Sequence, residues 1–239
     1  MLKTRDGVSS YLDATKKVAE CGLPVAAYLL QSDISDVRFE KGCYSTEQSA
    51  GTVSFADVAK AVADPKLSEL VGGAKLEGTG HAVHEAANFP NCCHICEVEI
   101  DPNTGITEVV GYWVVDDVGT ELNPVIVKGQ VHGGVMQGVG QALLENIVFD
   151  EDGQLLTGSY MDYAMPRASD ICDVVVDSHP VPTATNPYGA KGVGESGTVG
   201  SLPATMNAIA NALGPIGITH VDTPATPDKI WRLIRDAQK

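Results

Sequence analysis

One carboxylate, Glu195, stands inside residues 186–200 (NPYGAKGVGESGTVG), where five glycines surround it. Glycine lets a backbone approach a ligand closely, so the N–H groups of such a loop can face an anion or an oxo group. A carboxylate held there and shielded from water has its pKa pushed upward. That is the condition for a general base poised near neutrality. Taken alone, the plainer reading is a solvated loop glutamate.

A second segment also carries chemistry. Residues 127–146 (VKGQVHGGVMQGVGQALLEN) read as a helix that includes Gly129, Gly133, Gly134, Gly138 and Gly140. Each glycine inside a helix costs about 1 kcal/mol relative to alanine, so five need a reason. Gln130, Gly134, Gln137 and Gln141 are spaced to share one face. Amides beside a gap suit a surface that hydrogen-bonds a polar heterocycle at close range. A packing helix with its glutamines in solvent is the alternative.

Three further patterns carry less. Gly192, Gly194 and Gly197 match the dinucleotide-binding G-x-G-x-x-G, and Asp222 ends a later strand candidate. Such a site needs its glycines directly after a strand. Here Pro180, Pro182 and Pro187 intervene, and Glu195 stands where a pyrophosphate should sit. Lys191 completes no phosphate-binding loop. Cys93 and Cys96 have C-x-x-C spacing around His94, but no second pair completes a zinc set. They read as structural thiols, and no metal ligand is assigned. His132 reads as a packing or hydrogen-bonding residue.

The elements that must position these residues follow from local signals. A short helix over 8–20 stops at Gly22, and Lys41-Gly42 joins a two-residue hairpin. Ser54 with Asp57 makes a capping-box-like helix start, and residues 66–80 read as a connection. Cys96–Ile100 and Ile106–Val115 flank the turn Asp101–Gly105. Asn123-Pro124 caps the glycine-rich helix to roughly Asn146. Cys172–Asp177 and Gly217–Val221 are strand candidates. Pro203 opens a helix ending at Gly214, and Thr226-Pro227 starts the last one. The mixture lacks regular βα alternation and is read as α+β.

Composition narrows the function. The chain has 239 residues and a formal charge of −15, which disfavours nucleic acid as a partner. No run is long enough for a membrane span. Six cysteines without a visible secretory signal suggest reduced thiols and a cytoplasmic location.

As a set, G129-Q-V-H-G-G-V-M-Q-G-V-G-Q-A-L-L-E145, GSYMDYAMPRASD and K191-G-V-G-E-S196, preceded by D116-D-V-G and N123-P, are specific. The chain resembles the molybdopterin-binding large subunit of the xanthine oxidase / carbon monoxide dehydrogenase / aldehyde oxidoreductase family. The resemblance extends loosely from about Asp33 to Arg235 and covers only the C-terminal part of that subunit. It implies a partial N-terminal subdomain and connection at 1–80, and a molybdopterin-binding subdomain with the active-site loop at 81–239.

Within that resemblance, Glu195 matches the active-site glutamate, the general base that activates a water-derived oxygen toward an electron-poor carbon. Gln130 matches a glutamine that hydrogen-bonds the pterin–dithiolene end of the cofactor. Gly133, Gly134 and Gln137 lie on the same cofactor-binding helix. Lys191, Gly192, Val193 and Gly194 bring backbone near the metal's ligands. The implied cofactor is molybdenum–molybdopterin, with the cytosine dinucleotide form among those allowed. Iron–sulfur clusters and FAD are implied on partner chains, as an iron–sulfur subunit and an FAD subunit. A further chain would carry the upstream half of the large subunit. The implied activity is a molybdenum hydroxylase acting on an aldehyde, N-heterocycle or related small substrate. A non-catalytic assembly or remnant chain is the alternative, and a nucleotide-binding dehydrogenase the more distant one.

Overall fold

The computed structural model describes residues 2–47, 49–73, 75–82 and 87–238. The chain divides into two units, residues 2–85 and 86–239, each with its own core.

In the first unit, helix α1 (Leu2–Leu30) accompanies an antiparallel sheet of β1 (Val37–Glu40), β2 (Cys43–Thr46) and β3 (Ser49–Ser54). Helices α2 (Phe55–Ala63) and α3 (Pro65–Leu70) follow. The expected hairpin forms, with Lys41 and Gly42 both at positive φ (49° and 80°), as a tight turn between twisted strands requires. Ser54 Oγ accepts a hydrogen bond from Asp57 N at 3.1 Å and starts α2 as expected. Residues 66–80 are not all connection, because α3 occupies their beginning.

The first helix does not stop at Gly22. It continues to Leu30, through Gly22 and Pro24. The reason lies in the packing. A Cβ on Gly22 would lie 2.1 Å from Tyr44 Oη, so this glycine makes room for a fully buried tyrosine. Tyr44 in turn donates to Ala19 O at 3.0 Å. Beyond the glycine, Val25, Ala26 and Ala27 are buried. Their burial outweighs the local cost of glycine and proline, as tertiary context commonly does.

The second unit is a three-stranded sheet with helices on one face. Strand β4 (Asn91–Ile100) pairs antiparallel with β5 (Thr107–Asp117), and β5 pairs parallel with β6 (Val174–Ser178). Helices α4 (Pro124–Leu143) and α5 (Ser196–Leu213) pack together; α5 also packs on β4, and α4 on β6. Helix α6 (Pro227–Ala237) buries Ile230 and Ile234 in the same core as Val114, Val131, Val135 and Ile209. The architecture is α+β, as expected.

Local signals set several boundaries here. Asp101 accepts from Asn103 N and Thr104 Oγ1 and closes the β4–β5 turn, which Gly105 completes at φ 74°. Asn123 Oδ1 accepts from Ile126 N at 3.2 Å and caps α4. Two expectations fail. Helix α5 begins at Ser196, not Pro203, which sits inside it. Pro203 cannot donate to the Val199 carbonyl one turn earlier, and Val199 is an exposed residue. Residues 217–221 form no strand; Val221 instead buries its side chain in the core. Among the described residues, no helix is long and apolar enough to cross a membrane.

Candidate cofactor and active site

The glycines of α4 fall into two groups. A Cβ on Gly134 would lie 2.8 Å from Gly197 Cα, and one on Gly138 would lie 1.8 Å from Ser201 Oγ. Gly197 faces back, 2.6 Å from Val131 O by the same measure. These residues let α4 and α5 pack backbone to backbone. Gly140 similarly gives room to the Pro166 ring. Gly134, expected to leave a gap for a ligand, therefore leaves it for α5. Around Gly129 and Gly133 nothing lies within 4 Å of the added Cβ. Only these two leave open space beside the helix.

The seam brings the two sequence-predicted segments together. Gln130 Nε2 donates to Gly194 O at 3.3 Å, joining the glutamine helix to the loop before Glu195. Thr198 Oγ1 lies 3.0 Å from Gln137 Oε1 and 3.2 Å from Gly134 O, so Gln137 is tied to α5. Val193 is half-buried and packs against the core. Its carbonyl accepts from Ser196 N (3.3 Å) and Ser196 Oγ (3.1 Å), turning the chain sharply into α5. Gly194 and Glu195 stay exposed at that turn, and the Glu195 carboxylate makes no capping hydrogen bond. The shielding expected around Glu195 is not supplied by its own loop.

Upstream, the loop is clamped to the end of β5. Asp117 accepts from Gly119 N and Val181 N, each at 2.9 Å, from Asn91 Nδ2, and from the Lys191 ammonium. Burial alone would push the Asp117 carboxyl up; these donors outweigh it and hold it well below the usual carboxylate range. Lys191 N also donates to Val118 O at 2.8 Å, and Asn186 Oδ1 accepts from Tyr188 N and Ala190 N. Lys191, expected near the cofactor, thus spends its charge on Asp117. Lys191→Met removes the counter-charge of a half-buried carboxylate that keeps its other three N–H donors, and is expected to cost about 1–3 kcal/mol. Urea unfolding of the variant checks this, and an unchanged midpoint contradicts it.

Asp117 and Asn186 were not singled out as site residues from the sequence. The only signal was the Asp116-Asp117 pair before Gly119, whose partners lie far along the chain. His132 lies within 2.7 Å of Lys128 O through Nδ1 and 3.1 Å of Val174 O through Nε2, which is the hydrogen-bonding role expected. All six cysteines are free thiols.

A family model for the molybdopterin cofactor-binding domain matches residues 7–172. The chain belongs to that family. It is 33% identical over 93% of its length to the carbon monoxide dehydrogenase large chain of Hydrogenophaga pseudoflava, covering 28% of that protein. It is 37% identical over 87% of its length to the nicotine 6-hydroxylase large subunit of Paenarthrobacter nicotinovorans, covering 26% of it. Among solved structures, a Cu,Mo-CO dehydrogenase superposes with a TM-score of 0.83 at 27% identity, over 94% of this chain and 28% of that one. The chain therefore spans little more than a quarter of the relatives it matches. The family model covers Gln130, Gly133, Gly134 and Gln137 but ends before the Lys191–Glu195 loop.

Proposed function

We propose that this chain forms one wall of a molybdenum-cofactor site, with Glu195 as general base, in a hydroxylase acting on an aldehyde, N-heterocycle or related small substrate. The observation that carries this reading is the hydrogen bond from Gln130 to Gly194 O, which sets the amide-bearing helix beside the Glu195 turn. The donor set fits the group. Neutral amides, open backbone at Gly133 and an exposed Gly194 suit a pterin held by hydrogen bonds. Gln130, Gly133 and the Gly192–Gly194 backbone would hold it. Gln137 and Gly134 orient α4 against α5, and Lys191 positions the loop.

When bound, the cofactor supplies two-electron oxidation of the substrate with oxygen derived from water. The chain's own part is proton handling. The Glu195 carboxylate accepts a proton on one of its oxygens. The Val193–Ser196 turn fixes the backbone that presents it. Exclusion of water from Glu195 falls to whatever covers this exposed turn.

A cover is also implied on the far side of the sheet. Ile95, Trp113 and Val175 are paired across β4, β5 and β6 and are 59%, 41% and 54% exposed. An apolar row of this kind marks a surface made for another protein segment. We assign it to the upstream half of the large subunit, with residues 1–80 as a partial N-terminal subdomain and 81–239 as the cofactor subdomain. Iron–sulfur and FAD subunits would carry the electrons away, and reduced thiols suit a cytoplasmic setting. The cytosine dinucleotide form of the cofactor belongs to the same proposal.

Molybdenum per chain, measured on protein purified natively with its partners, tests the reading. Near one atom per copy, with iron alongside, is the expected result. An intact complex without molybdenum would point instead to a non-catalytic assembly chain.

A further inference from the structure

The face of the sheet that meets α5 carries three ligand-type side chains the proposed chemistry does not use. Cys92 and His94 are two residues apart on β4 and so point to one side. Asp116 is the direct cross-strand partner of Cys92 on β5. A ligand atom from each of the three lies within 4.8 Å of the others.

Two observations show that the cluster lacks a partner. Asp116 is 2% exposed, and neither carboxylate oxygen has a hydrogen bond. His94 Nε2 is also buried without a partner. Buried polar atoms are rarely left so, and a bound ion or water is the usual reason. Burial pushes the Asp116 carboxyl up to about 6, with Glu121 adding to it, and also pushes the Cys92 thiol up. The site as it stands is short of positive charge.

The other ring nitrogen is already engaged. His94 Nδ1 lies 3.0 Å from the hydroxyl of Tyr112, itself 1% exposed. A hydrogen bond on one imidazole nitrogen fixes the ring and frees the other for a metal. The ring also lies against α5, where a Cβ on Gly200 would come 2.4 Å from it. Cys92 Sγ reaches Ser196 O at 3.8 Å, at the first residue of α5.

We propose that Cys92, His94 and Asp116 bind one divalent transition-metal ion, zinc by donor type, at the base of α5. Sulfur, imidazole and carboxylate together suit zinc, whose bond lengths put tetrahedral ligand atoms about 3.5 Å apart. Binding draws the three ligand atoms, now within 4.8 Å of one another, to that spacing. Thiolate and carboxylate neutralise the ion's two charges, and the thiol and carboxyl protons leave to solvent on binding. The three residues leave one tetrahedral position for a further ligand. By joining β4 to β5 under α5, the ion stiffens the surface on which the helix starting beside Glu195 packs. None of the three residues is assigned to the molybdenum cofactor, so this site stands or falls independently of that reading.

The test is an oxygen-free titration of the full chain with Co2+, followed by displacement with Zn2+. One equivalent of Co2+ should give a near-ultraviolet thiolate-to-cobalt band that one equivalent of Zn2+ bleaches. Cys92→Ser should lose the band. His94→Gln and Asp116→Asn should weaken Co2+ binding at least tenfold, and Tyr112→Phe by roughly tenfold through the lost hydrogen bond. Cys93→Ser, whose neighbouring thiol points to the other face, should change nothing. The absence of saturable binding by the unmodified chain would overturn the proposal, with water then serving the buried groups. So would a band that survives Cys92→Ser or disappears with Cys93→Ser. The unmodified chain's titration stands even if a variant misfolds.

Discussion

Glu195→Gln in the assembled enzyme is expected to lower kcat by on the order of 10²–10⁴-fold, the usual contribution of a positioned general base, without changing molybdenum content. Glutamine keeps the size of the side chain but loses the negative charge and with it the ability to take a proton. The turn that presents it is held by Val193 and Ser196, not by the Glu195 carboxylate. The fold should therefore be indifferent to the substitution. Steady-state kinetics on a panel of aldehydes and N-heterocycles, with metal analysis of the same sample, separates the possibilities. Near-normal kcat would remove Glu195 from the chemistry. Loss of molybdenum along with activity would make it a cofactor-holding residue instead.

The second large effect concerns the glycines of α4, where adjacent positions should respond with opposite sign. Gly134→Val and Gly138→Val drive side chains into α5, at contacts of 2.8 Å and 1.8 Å even for the Cβ. Overpacking of this kind costs about 1–3 kcal/mol or more, and here it also parts two helices that share a core. Gly133→Ala meets nothing within 4 Å and removes a mid-helix glycine, so it should stabilise the chain by about 1 kcal/mol. Urea unfolding of the three variants measures both signs. If Gly133 also lies against the cofactor, its alanine variant should fold better and yet hold less molybdenum in the native complex. Equal destabilisation by all three substitutions would refute the division of the helix into a packing side and an open side.

The order of elements was largely legible from the chain. Asp101, Asn123, Ser54 and the Lys41-Gly42 pair act through neighbours within a few residues, so their turns and caps need no distant partner. The glutamine-bearing helix and the glycine-flanked glutamate were also visible as separate segments, because those two motifs are unusual wherever they occur. Signals that depend on local geometry alone misled where packing decided. Gly22 looks like a helix stop, but Tyr44 arrives from β2 to fill its space. Pro203 looks like a helix start, but the helix already exists when the chain reaches it.

What the sequence determined by itself is therefore most of the local punctuation, the α+β class and the family resemblance, with Glu195 singled out as the candidate base. What only the tertiary structure decided is which residues meet. It assigned Gly134 and Gly138 to a helix seam and left Gly133 open. It gave Lys191 to Asp117, and set Cys92 and His94 against Asp116 across two strands. The sequence shows Cys93-x-x-Cys96, whose members point to opposite faces of β4, and hides the set that shares one face. The physical reason is that a side chain's direction follows the strand's two-residue period, whereas its partners follow from strand register. Register is a property of two segments and cannot be read from either one.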